Sequence, residues 1–174
     1  MIPALQTNLK KMARPWLILS MALATSGLPA LEMGKPAPNC TLYDLNNRQT
    51  HQLQQLTGKV LFVDFWASWC GPCAKSFPYY NALQQKFSQQ HFQILAINLD
   101  EEPEDARHFL EHNSSQISVL GDKDSQCAQM FSVMAMPSSY LIDRRGNIRY
   151  IQLGFREDET SVIEHKITEL LAEK

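Results

Sequence analysis

The chain has 174 residues, 44% of them hydrophobic and 20% charged, with a formal net charge of −2. That length and balance suit one ordinary globular domain with a sizeable core. The near-neutral charge gives no basis for binding nucleic acid or an anionic membrane surface, and no repeat or long low-complexity run interrupts the pattern.

In chain order, residues 1–30 read first as a secretory signal. Lys10, Lys11 and Arg14 precede a short apolar run over 16–24, and small or turn-forming residues over 25–30 close it. The run is short for a comfortable membrane span. Cleavage after Ala30 is the expectation, with an uncleaved anchor as the alternative; the start is Met1 or Met12. Either way the domain is expected outside the cytoplasm, where structural disulfides persist. Residues 31–38 are a linker, and a folded domain over 39–174 follows.

Residues 39–43 and 50–53 read as two short strands joined by a turn around Asn46-Asn47-Arg48. The apolar, β-branched run over 60–65 reads as a buried strand. It leads into Trp69-Cys70-Gly71-Pro72-Cys73, after which Tyr80, Leu83 and Phe87 recur at helical spacing. The cysteine pair therefore sits where a buried strand hands over to a helix. Gly71 permits the turn, and Pro72 is tolerated in a helix's first turn. Free N–H groups and the positive end of the helix dipole favour a thiolate there, and the thiolate is the attacking species. Structural zinc needs four ligands, and Cys40 and Cys127 are isolated rather than a second Cys-x-x-Cys pair. Asp64, six residues before Cys70 inside the apolar strand, should have a raised pKa. It is a candidate proton acceptor for Cys73.

Beyond Pro78, expected to kink the helix, a strand is read over 92–99 and a helix over 103–113. A short extended segment over 117–120 and a short helix over 125–131 come next. A hairpin turn at Arg144-Arg145-Gly146-Asn147 leads into a strand over 148–153. A last helix, with Asp158 as N-cap, presents Val162, Ile163, Ile167, Leu170 and Leu171. Cys40 and Cys127 each sit among apolar residues; two buried thiols are favoured, with pairing as the alternative.

Phe65-Trp66-Ala67-Ser68-Trp69-Cys70-Gly71-Pro72-Cys73 resembles the active-site segment of thioredoxin-like proteins. The rest is similar to their exported bacterial branch, the TlpA/ResA/DsbE-like disulfide reductases, from about Pro36 to the C-terminus. The resemblance implies an α/β thioredoxin fold with an N-terminal β-hairpin extension and an inserted helix after the second core strand. It implies that Met136-Pro137 is a cis bond with Pro137 against the cysteine pair, and that an acidic residue after the strand at 92–99 lies near the cysteines, for which Glu101 is the candidate within the consecutive run Asp100-Glu101-Glu102, a run that a solvated helix start explains equally well. Ser76 departs from the family, which often carries Glu there. Asp64 matches thioredoxin, whereas exported relatives often carry Asn.

The chemistry expected is thiol–disulfide exchange, with Cys70 as nucleophile, Cys73 resolving and Asp64 and Pro137 assisting. Trp66, Trp69, Gly71, Pro72 and Met136 form an apolar rim for an extended Cys-containing segment, with a core position for Trp66 as the alternative. Neither cofactor nor metal is implied. The implied partners are an exported Cys-containing protein and a membrane thiol-electron donor, with a periplasmic monomer acting in cytochrome c maturation or copper-site assembly. A thiol peroxidase on the same fold lacks its Pro-x3-Thr/Ser-x2-Cys loop here. A copper-binding assembly factor needs a His near the cysteines, whereas His108 and His112 fall in the inserted helix and His165 in the last.

Overall fold

The run after Gly58 becomes the centre of the sheet. In a computed structural model, which describes residues 31–113 and 115–173, strand β3 (Val60–Trp66) is buried along its whole length. Near-continuous apolar sequence is what a strand covered on both faces requires. Around it lie β1 (Thr41–Tyr43), β2 (Thr50–Gln52), β4 (Phe92–Asn98), β5 (Ser118–Gly121), β6 (Ser138–Ile142) and β7 (Ile148–Leu153). Among the described residues the sheet has seven strands in the order β2-β1-β5-β4-β3-β6-β7. β3 pairs parallel with β4 and antiparallel with β6; β4 pairs parallel with β5. The helices are α1 (Gly71–Phe87), α2 (Pro103–His112), α3 (Gln126–Met130) and α4 (Thr160–Ala172). This is the expected thioredoxin-like arrangement, with the hairpin β1–β2 at one edge and α2 inserted after the second core strand. The expected signal segment, 1–30, lies outside the described residues.

Alternation along β3 divides the core in two. Val60, Phe62 and Trp66 face α1, α2 and α4, against Phe77, Tyr80, Leu83, Phe109, Ile163, Ile167 and Leu170. Leu61, Val63 and Phe65 face the other way, against Leu42, Leu53, Phe131 and Tyr140. Each such buried side chain contributes roughly 1.5–3 kcal/mol.

The second layer holds a correction. Cys40 and Cys127 are not two free thiols but a disulfide, closing a sequence separation of 87 with Cα atoms 5.2 Å apart. The bond ties the strand-hairpin extension to α3. Two further expectations change at element ends. α4 begins at Thr160 with Glu159 as its N-cap, and Asp158 sits inside the preceding 3-10 turn (Glu157–Glu159) rather than capping the helix. Val162 is 43% exposed and leaves the core to Ile163, Ile167 and Leu170. α1 continues through Pro78, which is exposed.

Candidate active site

Strand β3 ends at Trp66, and α1 begins at Gly71. The four residues between them make the turn that carries the cysteine pair into the helix. Cys70 is the N-cap of α1, with extended backbone at φ −83° and ψ 98°. Its sulfur accepts the backbone N–H of Cys73 at 3.2 Å, the position an oxygen acceptor fills in an ordinary cap. Cys70 and Cys73 are joined as a disulfide, Cα atoms 5.2 Å apart. Cys70 is 5% exposed and Cys73 fully buried. Pro72 occupies the first turn, where its missing N–H costs nothing. Gly71 is exposed, and a Cβ built there meets nothing within 4 Å. Contrary to the expectation from the sequence, the turn does not need glycine at 71, whose φ lies outside the left-handed region; the space beside Gly71 is open.

Asp64 lies inside the sheet beneath this helix. It is completely buried, opposite Ser139 of β6 in register. Its Oδ1 accepts the hydroxyls of Ser139 at 2.6 Å and Tyr80 at 3.0 Å. Oδ2 has no hydrogen-bond partner among the described residues. Burial pushes the Asp64 carboxyl up to about 7, against the opposing pull of the Ser139 and Tyr80 hydroxyls. Tyr80 shares the sheet-facing side of α1 with Cys73 and Phe77, so its hydrogen bond ties the carboxyl to the helix face that carries the buried cysteine. Burial and the neighbouring Asp64 raise the Tyr80 phenol well above its ordinary range, which keeps it a hydrogen-bond donor.

The Met136–Pro137 bond is cis. Pro137 is buried and immediately precedes Ser138, the partner of Phe65 in the β3–β6 ladder. That register brings the proline to the end of β3 from which the cysteine turn departs. Met136 is half-buried against the first core layer, and Met134 is 92% exposed beside it.

The two tryptophans separate. Trp69 is 73% exposed and stands on the rim. Trp66 is fully buried, its ring 4.9 Å from Phe77 and 4.8 Å from Phe109 between centroids. Trp66 is thus core rather than a rim residue, because it points from β3 into the layer under α1 and α2.

Glu101 is exposed in the turn before α2, and Asp100 is the carboxylate that reaches the active-site loop. It is 4% exposed and accepts the Ser68 N–H at 2.9 Å and the Ser68 hydroxyl at 3.0 Å. The Asn98 amide braces it at 2.7 Å. Asp100 therefore anchors the turn that presents Trp69 and Cys70. Ser76 is buried, its hydroxyl donating to the Cys73 carbonyl at 2.9 Å.

Comparison with known proteins agrees with this geometry. Residues 32–167 match the Redoxin family model. Thiol-disulfide oxidoreductase ResA of Bacillus thuringiensis subsp. konkukian is 33% identical over 118 residues, covering 68% of this chain and 68% of the relative. ResA of Bacillus subtilis is 31% identical over 129 residues, covering 74% and 72%. A crystal structure of a candidate thiol:disulfide interchange protein DsbE from Chlorobium tepidum superposes with a TM-score of 0.77 at 37% identity, covering 82% of this chain and 99% of that one. The chain belongs to the thioredoxin-like TlpA/ResA/DsbE family.

As a member of that family it is a protein thiol–disulfide oxidoreductase. Sequence reasoning missed two parts of this oxidoreductase's site. Asp100 was hidden in the run Asp100-Glu101-Glu102, which reads equally well as a solvated helix start. His108 and His112 line, with Ser68, Trp69 and Asp105, a groove beside the cysteine turn. Their place in the inserted helix had suggested distance from it. The signal that could have found them is the four-residue spacing of two imidazoles on one helix face.

Proposed function

We propose that this oxidoreductase is a reductase of disulfides in exported proteins, with Cys70 attacking and Cys73 resolving. The observation that carries the assignment is the Cys70 sulfur at the N-cap of α1, receiving the Cys73 N–H. In the reduced enzyme the same N–H and the helix dipole stabilise a Cys70 thiolate. That thiolate attacks one sulfur of the substrate disulfide, forming a mixed disulfide and expelling the other substrate sulfur as a thiolate. The Cys73 thiol then passes its proton to Asp64, directly or through water, and attacks the Cys70 sulfur. The second substrate thiolate leaves, and the Cys70–Cys73 disulfide forms. Two electrons have moved from the pair to the substrate, and the structure has the arrangement of that oxidised product. A carboxyl held near 7 has both forms available at neutral pH, as a proton acceptor in this step requires.

Trp69, Met134 and Met136 give the rim an apolar character suited to an extended segment. The substrate is an exported apo-protein with its own cysteine pair, of the cytochrome c or copper-site kind, and a membrane thiol-electron donor returns the pair to its reduced state. The enzyme acts as a monomer in the periplasm. The charged-then-apolar segment at 1–30 supports export, as does the Cys40–Cys127 disulfide, which an oxidising compartment preserves.

Trapping tests the roles and the place together. Cys73→Ser removes resolution and should accumulate disulfide-linked adducts, recovered in the periplasmic fraction and identified by mass spectrometry. Cys70→Ser should accumulate none. Equal adducts from both variants would overturn the role assignment, and adducts confined to the cytoplasm would overturn export.

A further inference from the structure

Helix α2 is amphipathic, and its buried side fixes it firmly. Ala106 and Phe109 are buried, and the Phe109 ring lies 4.8 Å from Trp66 and 5.3 Å from Phe77 between centroids. Its C-terminal half exposes His108, Glu111 and His112 together. One donor atom from each lies within 4.8 Å of the other two. His108 Nδ1 is 3.8 Å from the Glu111 carboxylate. His112 Nδ1 lies 2.9 Å from the His108 carbonyl. A carbonyl can only accept, so Nδ1 carries the proton and Nε2 keeps the lone pair. This is the hydrogen bond to the non-ligating nitrogen that orients imidazoles at metal centres. The three groups also stand at the C-terminus of α2, where the helix dipole favours a cation.

We propose that His108, His112 and Glu111 bind one borderline divalent cation at the edge of the active-site groove. Two imidazoles and one carboxylate suit Zn(II), Ni(II) and Cu(II), with Cu(II) tightest; they do not suit Mg(II) or Ca(II), which take oxygen ligands. Metal–nitrogen distances of about 2.0–2.1 Å require the donors to close inward. Exposed side chains make that adjustment without moving the backbone. Three protein ligands leave a position for water or for a group from a docking partner. The cysteines take no part: the ion sits on α2, in the groove that Trp69 and Ser68 line from the other side.

The two imidazoles act as a chelate, so the second binds at a high effective concentration and losing either is costly. Zn(II) titrated calorimetrically into the full chain, with both disulfides oxidised so that no thiol competes, should bind at one site. His108→Gln and His112→Gln should each weaken binding by about tenfold or more, and Glu111→Gln by less. All three side chains are exposed, so the fold does not depend on them. His165→Gln is the control: His165 faces Glu169 at 3.1 Å on α4, an imidazole–carboxylate pair without a second imidazole. That variant should bind as the parent does. No Zn(II) binding by the parent, unchanged affinity in the His108→Gln/His112→Gln variant, or loss of the site in His165→Gln would each overturn the proposal.

Discussion

The two disulfides have the same Cα–Cα separation, 5.2 Å, and opposite surroundings. Both involve a cysteine in the first turn of a helix, so helix position alone does not distinguish them. At α1 the first-turn N–H of Cys73 points at the Cys70 sulfur. At α3 the equivalent donors are already taken: the N–H groups of Cys127 and Ala128 donate to the Asp122 carboxylate at 3.2 and 2.8 Å. A thiolate at Cys127 would find these two donors already taken by the Asp122 carboxylate. Cys70 lies beside the exposed Trp69 and the open flank at Gly71, whereas Cys40 and Cys127 sit in the second core layer with Leu42, Leu53 and Phe131. Burial does not separate the two bonds, since Cys70 is 5% and Cys40 4% exposed; the first-turn N–H aimed at the Cys70 sulfur is what poises that bond for exchange.

Chain separation divides them energetically as well. Closing 87 residues removes about 4–5 kcal/mol of unfolded-state entropy, and closing three removes only about 1–2 kcal/mol. The largest predicted effects follow. Cys70→Ser should abolish exchange and change stability little. Cys40→Ala with Cys127→Ala should lower unfolding free energy in urea by several kcal/mol. The folded fraction should keep its exchange rate within about twofold and a Cys70–Cys73 potential between about −200 and −300 mV. A potential shifted to about −120 mV, the oxidant value, in parent or variant would break the comparison. So would loss of exchange in a folded variant lacking Cys40 and Cys127.

The exchange bond was legible in the sequence because its signal is local: two cysteines three positions apart, with Gly-Pro between them and a helix behind. The other bond was not, because nothing near Cys40 or Cys127 encodes their meeting; β1 and α3 converge only when the second core layer assembles. The same contrast explains the tryptophans. A strand buried on both faces has no alternating polarity to say which side Trp66 takes, and only the packing of Phe77 and Phe109 around it decides. Asp64 was legible because a carboxyl inside an apolar strand is conspicuous. Its partners Tyr80 and Ser139 come from α1 and β6, 16 and 75 residues away, and were not. The cis bond before Pro137 was anticipated through family resemblance, since Met-Pro alone reads as an ordinary loop bond.

Asp64 sharpens the comparison through pH. Its carboxyl is raised from 3.8 to about 7 by burial, so between those values the folded state holds a proton that the unfolded state has released. The stabilising contribution of the protonated group is therefore complete below about pH 4 and lost as pH rises through about 7. Asp64→Asn keeps an oxygen for the Tyr80 and Ser139 hydroxyls and removes the charge. It should stabilise the protein at pH 8, with an upper limit of about 4 kcal/mol, and do little at pH 4. Denaturant midpoints at the two pH values measure this. The cost appears in catalysis: stopped-flow release of the mixed disulfide at neutral pH should slow by about ten- to a hundredfold, with initial attack nearly unchanged. Equal rates for both steps in variant and parent would leave Asp64 a structural residue.

The smallest effect tests the open flank. A Cβ at Gly71 meets nothing within 4 Å, and its φ is not in the left-handed region that favours glycine. Gly71→Ala should therefore stabilise the fold slightly, by about 0.4–1 kcal/mol, through the unfolded chain. The added methyl stands on the exposed surface next to Cys70, where a docked substrate backbone has to approach the sulfur. Exchange with a small aromatic disulfide, which needs only the sulfur, should keep its rate. Exchange with a folded or extended protein disulfide should slow by a few-fold, through KM more than kcat, because the methyl obstructs docking and leaves the thiolate alone. If both substrates slow equally, the methyl has disturbed the helix N-terminus itself. If neither slows, the substrate approaches Cys70 from the Trp69 side, and Gly71 plays no part in recognition.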